Sequence, residues 1–471
     1  MKAMLLMLTL TLLLLSAAAF AGPARIFTAS DYARLDSDVV KGGGTDDTAA
    51  LQALLDKASD GTPVKLIMDG AALITGLTVW PNTTIECVNQ SCGFFLKDGC
   101  NCAIIRNRHA DFYADPEARD KNISLIGGTW NHNAKGQKHD VPCPEDEVGI
   151  YKVRDEDYMP TKWVMAFELY GVENLLMKDM TIMNQRTFTA LIANFKFVNV
   201  ENVNIVLNDY IFGNNQDGFH FFGPGQFLNI RNISGTAGDD FIAVAPDERD
   251  RVSSITDVMI DGVHLNDSDQ GIRLLCREEG TLERVLIKNV TGTYRSFGFY
   301  INPWFESKKG GCYRDIVIDT VALECTKDRY PGSRFLFSLG GNIESMILKN
   351  IHYKGDNPHH LLEVRSGFVG PSATRINNLT MENVYIQDDP NVQDYIAFMG
   401  DPVPVRNLLL KNIVVNKEVS GGSFITAEKG ADIERLIING FYSRGLTDIY
   451  GPNIRGNVKK LVENNINIED K

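Results

Sequence analysis

One phrase returns throughout the middle and C-terminal parts of the chain. It alternates apolar and polar residues, then sets Asn, Asp or Gly before another apolar residue: LLMKDM, VNVENV, LNIRNI, VLIKNV, IVIDTV, MILKNI, LTMENV, LLLKNI and LIINGF. The next-to-last residue marks each unit, giving Asp179, Asn202, Asn232, Gly262, Asn289, Thr320, Asn350, Asn383, Asn412 and Gly440, with steps of 23 to 33 residues and a mean of 29. A repeat of that length belongs to a solenoid, in which each unit buries its apolar face only against its neighbours. Period-two alternation inside the phrase indicates a strand. A second short strand precedes the phrases, as in FTALIANF, GFHFFG, FIAVAP, GIRLLC and FGFYIN. Several strands in a repeat of this size predict an all-β chain, a single-stranded right-handed parallel β-helix with one coil per repeat. Coils stack about 4.8 Å apart, so inward positions form apolar columns and outward positions form exposed ladders.

A stack of coils needs capped ends. Residues 41–58 predict an N-terminal capping helix, with Thr45 as N-cap, Asp46 and Asp47 in its first turn, and Leu51, Leu54 and Leu55 on one face. Residues 131–161 interrupt the repeat and read as a long loop. Residues 1–21 read as a signal peptide, from Lys2, the apolar run Met4 to Leu15, and Ala19-Phe20-Ala21 before Gly22. Residues 22–471 then form a single β-helix domain, running from about residue 60 to 468, in a secreted or periplasmic protein. No membrane span is expected once the leader is cleaved. The net charge of −13 gives a polyanion such as DNA no general attraction, so nucleic acid is not an expected partner. Eight cysteines permit disulfides in an exported chain, first among Cys87, Cys92, Cys100 and Cys102, while Cys276, Cys312 and Cys325 read as buried thiols.

Three polar clusters stand apart from the repeat. Asn214 to Gly218 precedes one strand of the second type, Gly238-Asp239-Asp240 the next, and Asp267 to Gly271 the strand carrying Arg273. Each is also an ordinary turn sequence. Their recurrence at the same strand edge in successive coils places Asp217, Asp239, Asp240 and Arg273 on one outer face. Carboxylates that close repel, and one of them keeps its proton to higher pH. An acid beside ionised carboxylates is what glycosidic cleavage requires: one group protonates the leaving oxygen while another activates water. His220, Tyr300 and Trp304 lie on or near neighbouring strands and complete a candidate substrate cleft.

The order Asn-x-Asp-Gly, then Asp-Asp about one coil later, then Gly-x-Arg-x-x, resembles glycoside hydrolase family 28, the polygalacturonases and rhamnogalacturonan hydrolases. The resemblance covers most of the chain, with Val40 to Ala58 similar to the opening signature of pectin-lyase-type and tailspike proteins, and Gly127 to Trp130 similar to the family's first Gly-rich coil. It implies a pectin-lyase-like solenoid and an inverting hydrolase with Asp239 as general acid, Asp217 and Asp240 positioning the water, and Arg273 binding substrate. It calls for no cofactor and no resident metal. Two departures are visible. Residues 241–256 lack the family's Gly-His-Gly, with His264 read as a strand residue, and Leu275 stands where the family has a Lys that grips galacturonate. The expected substrate is therefore a polysaccharide or oligosaccharide other than plain polygalacturonate. Two other readings stay open: a lyase holding calcium on Asp217, Asp239 and Asp240, and a glycan-binding or tailspike-like β-helix without catalysis. The sequence leaves the oligomeric state open.

Overall fold

The computed structural model describes residues 23–109, 115–142, 161–211, 215–326, 335–355, 360–366, 370–389 and 394–469. Residues 1–21, read above as a signal peptide, and Cys143 and Asn214 lie outside them. Among the described residues, 28 strands join into one continuous sheet wound as a right-handed parallel β-helix. Its first pairing sets Arg25 opposite Val64, and its last sets Arg444 opposite Glu469.

The repeat phrase explains itself in backbone terms. All ten markers adopt left-handed φ angles, from 53° at Asn412 to 82° at Gly440. Asn, Asp and Gly tolerate that region, which is why they recur; Thr320, at 60°, is the β-branched exception. The marker amides also stack. Asn202 donates to Asp179 at 2.7 Å, Asn232 to Asn202 at 3.0 Å, Asn383 to Asn350 at 2.9 Å and Asn412 to Asn383 at 3.0 Å. Each of these turns thus carries a bond to the coil before it.

Inside, one column runs Val200, Ile230, Ile260, Ile287, Ile318, Leu348, Met381, Leu410 and Ile438, and every member is fully buried. Complete burial of each such side chain contributes roughly 1.5–3 kcal/mol. Outside, one row alternates in sign coil by coil, from Lys178 through Glu201, Arg231, Asp261, Lys288, Asp319, Lys349 and Glu382 to Lys411. Opposite charges therefore face each other along the stack, as in Lys288–Asp261 at 2.9 Å and Lys349–Asp319 at 3.0 Å.

Four expectations are corrected. The stack starts before residue 60, because Arg25–Thr28 pairs with Val64–Met68 ahead of the cap; four residues are too short to display a repeat. The capping helix spans Thr48–Leu55 with Asp47, not Thr45, at the N-cap. The Asp47 carboxylate is drawn instead to the backbone N–H groups of Arg34 and Leu35, at 2.8 and 3.0 Å, while Thr45 is bound to Asp36. Leu51, Leu54 and Leu55 are buried as expected. The segment 131–161 is not simply a loop: Asp140–Pro142 pairs antiparallel with Thr161–Trp163, closing its base, and 143–160 lie outside the described residues. Cys87, Cys92, Cys100 and Cys102 form no disulfide among themselves. Separate acceptors hold two of these thiols: the carbonyl of Thr75 for Cys102 and the side chain of Asn89 for Cys92.

Candidate functional site

On the short strands ahead of the marker phrases, residues alternate between core and exterior. Phe219 and Phe221, Ile242 and Val244, Ile272 and Leu274, and Phe299 and Ile301 belong to the interior. His220, Ala243, Arg273 and Tyr300 between them face outward. Register sets these four opposite one another in consecutive coils. The strand edge beside this row carries the acidic clusters: Gly218 N–H donates to the Asp240 carbonyl at 2.8 Å, and Gln270 N–H to that of Asp239 at 3.2 Å. Asp217, Asp239 and Asp240 thus meet at one place, as the spacing predicts. Asp267 of the third cluster does not join them; it pairs with Arg295 at 3.0 Å.

Each carboxylate has its own partner. Asp240 Oδ2 lies 2.6 Å from Nε of Arg273. Both oxygens of Asp239 accept from amides, Oδ1 from Gln270 at 2.6 Å and Oδ2 from Asn215 at 3.0 Å. Asp217 Oδ2 is 3.0 Å from Nδ1 of His220. One oxygen of Asp217 and one of Asp240 are buried with no hydrogen-bond partner. Asp217 and Asp240 are buried, whereas Asp239 is partly exposed as a residue, with both carboxylate oxygens covered by the amides of Gln270 and Asn215.

Burial raises all three carboxyl groups, and mutual repulsion adds to it. Asp239 is pushed well above the usual range by burial and then by the charges of Asp217 and Asp240. Asp217 is raised by burial to about 7, against the pull of His220. Asp240 is raised by burial, with Arg273 opposing. A shared proton on this cluster at neutral pH is the physical consequence.

Arg273 itself is 8% exposed. Its guanidinium carbon sits 5.1 Å from the Tyr300 ring and 5.0 Å from that of Trp304, and it donates to Gln270 at 3.1 Å. The two aromatic residues thus pack against the arginine that braces Asp240. Leu275 is fully buried in an outer apolar patch with Met165, Tyr170, Phe188, Leu191 and Phe222.

Glu248 is a group that sequence reasoning missed. It lies in the Asp-Glu-Arg-Asp run at 247–250, which reads as a solvated turn, within the stretch that lacks a histidine. Its Oε2 is 3.1 Å from Nε2 of His220, so the imidazole is held between two carboxylates. Only a doubly protonated ring donates from both nitrogens. Burial opposes that charge, but the bonds to Asp217 and Glu248 overcome it and raise His220 to about 9. Glu248 falls to about 2: burial opposes the fall, and His220, Arg249 and Arg273 cause it. Phe188 stacks on the imidazole at 4.5 Å.

No protein-family model matches the chain, and no curated protein matches it. Solved structures do. The tailspike protein of E. coli bacteriophage HK620, in complex with a hexasaccharide, superposes with TM-score 0.53 at 9% identity, over 85% of this chain and 74% of its own. An exopolygalacturonase from Thermotoga maritima gives 0.52 at 13%, over 88% and 92%. The surface adhesin PfbA of Streptococcus pneumoniae gives 0.52 at 15%, over 90% and 91%. At these identities the shared feature is the fold: the chain is a right-handed parallel β-helix built like these proteins.

Proposed function

We propose that the protein is an exported glycoside hydrolase that inverts configuration and acts on a pectin-related or other plant or microbial glycan. The observation that carries this reading is the meeting of Asp217, Asp239 and Asp240 at one strand edge. Asp239, raised by burial and by its two acidic neighbours, serves as general acid to the leaving oxygen. Asp217 and Asp240 hold and activate the water. His220, clamped by Glu248, keeps Asp217 ionised once the shared proton sits on Asp239. Arg273, braced against Tyr300 and Trp304, fixes Asp240 and borders the sugar. The fold shared with an exopolygalacturonase and with a hexasaccharide-bound tailspike fits a glycan partner.

One observation favours a second reading, glycan binding without cleavage: Arg273 and His220 already offset the charges of Asp240 and Asp217. One experiment tests the first reading and separates it from the second. Purified protein is incubated with a panel of plant and bacterial polysaccharides, new reducing ends are assayed, and the first anomer formed is identified by NMR. Release of inverted product supports hydrolysis; retained binding without release supports the second reading.

A further inference from the structure

Tyr210 is an aromatic residue left 37% exposed, ahead of the first acidic cluster. A single exposed ring means little by itself. This one sits on backbone that buried side chains hold in place. Asn184, 7% exposed, accepts the N–H groups of Asn208 and Asp209 on its Oδ1 at 3.0 and 3.1 Å. Gln216, 1% exposed, accepts the Ile211 N–H at 2.7 Å and donates to the Asp209 carbonyl at 3.1 Å. Lys135 adds an ion pair to Asp209 at 2.6 Å. Both chain neighbours of Tyr210 are therefore fastened, and Gln216 is itself the neighbour of Asp217.

The ring is set against the acidic strand edge. Gly238 N–H donates to the Gln216 carbonyl at 2.8 Å, directly before Asp239. A Cβ at Gly238 would lie 2.8 and 3.0 Å from two carbons on one edge of the Tyr210 ring, so any larger residue there would push the ring away. The Arg295 guanidinium carbon stands over the ring, 5.8 Å from its centre. One edge and one face are thereby occupied, and the rest of the ring accounts for its exposure. Asp239 and Arg295 are partly exposed as well, so Tyr210 borders open surface and not the packed core. Arg295 is shared between Asp267 at 3.0 Å and Asp269 at 3.4 Å, which leaves no net positive charge beside the ring.

We propose that Tyr210 is a stacking platform for a neutral pyranose unit of a glycan, on the open surface beside Asp239. The unit lays its C–H face on the ring, a rigid apolar surface whose ordering costs little side-chain entropy. A uronate is disfavoured, because two carboxyl groups already share the one guanidinium at this place. That the unit adjoins the bond being cleaved rests on the hydrolase reading above; the platform itself does not require turnover.

The test measures binding by calorimetry with Asp239→Asn as the background, so that nothing is consumed. The probes are tetrasaccharides: neutral gluco-, xylo-, manno- and galacto-configured chains, and an oligogalacturonate. At least one neutral chain should bind more tightly than the oligogalacturonate. Adding Tyr210→Ala should weaken that binding about tenfold, while Tyr210→Phe should keep it, because the stacking face survives. The melting temperature of both variants should stay near that of the background, since an exposed side chain is changed. Unchanged affinity in Tyr210→Ala, equal weakening by both changes, tighter binding of the oligogalacturonate, or no binding of any neutral chain would overturn the platform. If wild-type protein hydrolyses nothing while Tyr210-dependent binding persists, the hydrolase reading fails and the platform stands. Hydrolysis whose KM is unmoved by Tyr210→Ala removes the platform and leaves the hydrolase reading standing.

Discussion

Nε2 of His220 and Oε2 of Glu248 lie 3.1 Å apart across 28 residues of sequence. The contact joins an outward strand residue to the turn after the next strand, and with Asp217 it forms an Asp–His–Glu chain. This chain places a fixed positive charge behind the candidate base.

Removing Glu248 should release that charge. In Glu248→Gln the His220 pKa should drop from about 9, read by NMR of labelled imidazoles across a pH series. The linkage sign follows from a raised folded-state value: stabilisation is fully present below the unfolded pKa of about 6.5 and is lost as pH rises through about 9. Wild-type melting temperature should therefore fall over that window, and the variant should show a smaller fall. An unchanged His220 titration would refute the clamp.

Asp239→Asn keeps shape and removes the proton. On a confirmed substrate kcat should fall about 10²–10⁴-fold with little change in KM. Asp217→Asn and Asp240→Asn should each lower kcat, and the double variant should lose less than the product of the two. Full activity in Asp239→Asn would end the assignment.

The ion pair at 2.6 Å changes what Arg273→Ala is expected to do. A role in substrate binding alone predicts a KM effect. Because the change strands Asp240 as a buried charge, stability should drop by about 3–5 kcal/mol and kcat should fall as well. Denaturant melts and steady-state kinetics check both.

Activity should decline on the alkaline side. The general acid works only while protonated: burial and then the charges of Asp217 and Asp240 hold Asp239 well above the usual carboxylate range, and burial raises neighbouring Asp217 to about 7. A kcat/KM profile still rising well past neutral pH would contradict a carboxylic acid donor.

Leu275 lies in a buried apolar patch, fully covered. Leu275→Lys should therefore destabilise the fold by several kcal/mol, because an unpaired ammonium enters an apolar site, and should not confer hydrolysis of plain polygalacturonate. Thermal melts and a reducing-sugar assay read the two outcomes. Efficient cleavage of polygalacturonate by the wild type would refute the substrate expectation.

The winding of the chain is legible in its residues alone. Left-handed turns demand Asn, Asp or Gly at one position per coil, and inward columns demand alternating apolar residues, so both leave a period that can be counted. The same repeat places Asp217, Asp239 and Asp240 at one edge, because each cluster precedes the same strand of successive coils and those strands pair in register. Other relationships arise only on folding. Arg273 meets Asp240 rather than standing free, Leu275 packs against Phe188 and Phe222, and Glu248 reaches His220 from a turn of ordinary composition. The outward row from His220 through Ala243 and Arg273 to Tyr300 exists only across coils. Local spacing records what the backbone must do in each coil; which outward side chains touch depends on loops whose length and path no period constrains.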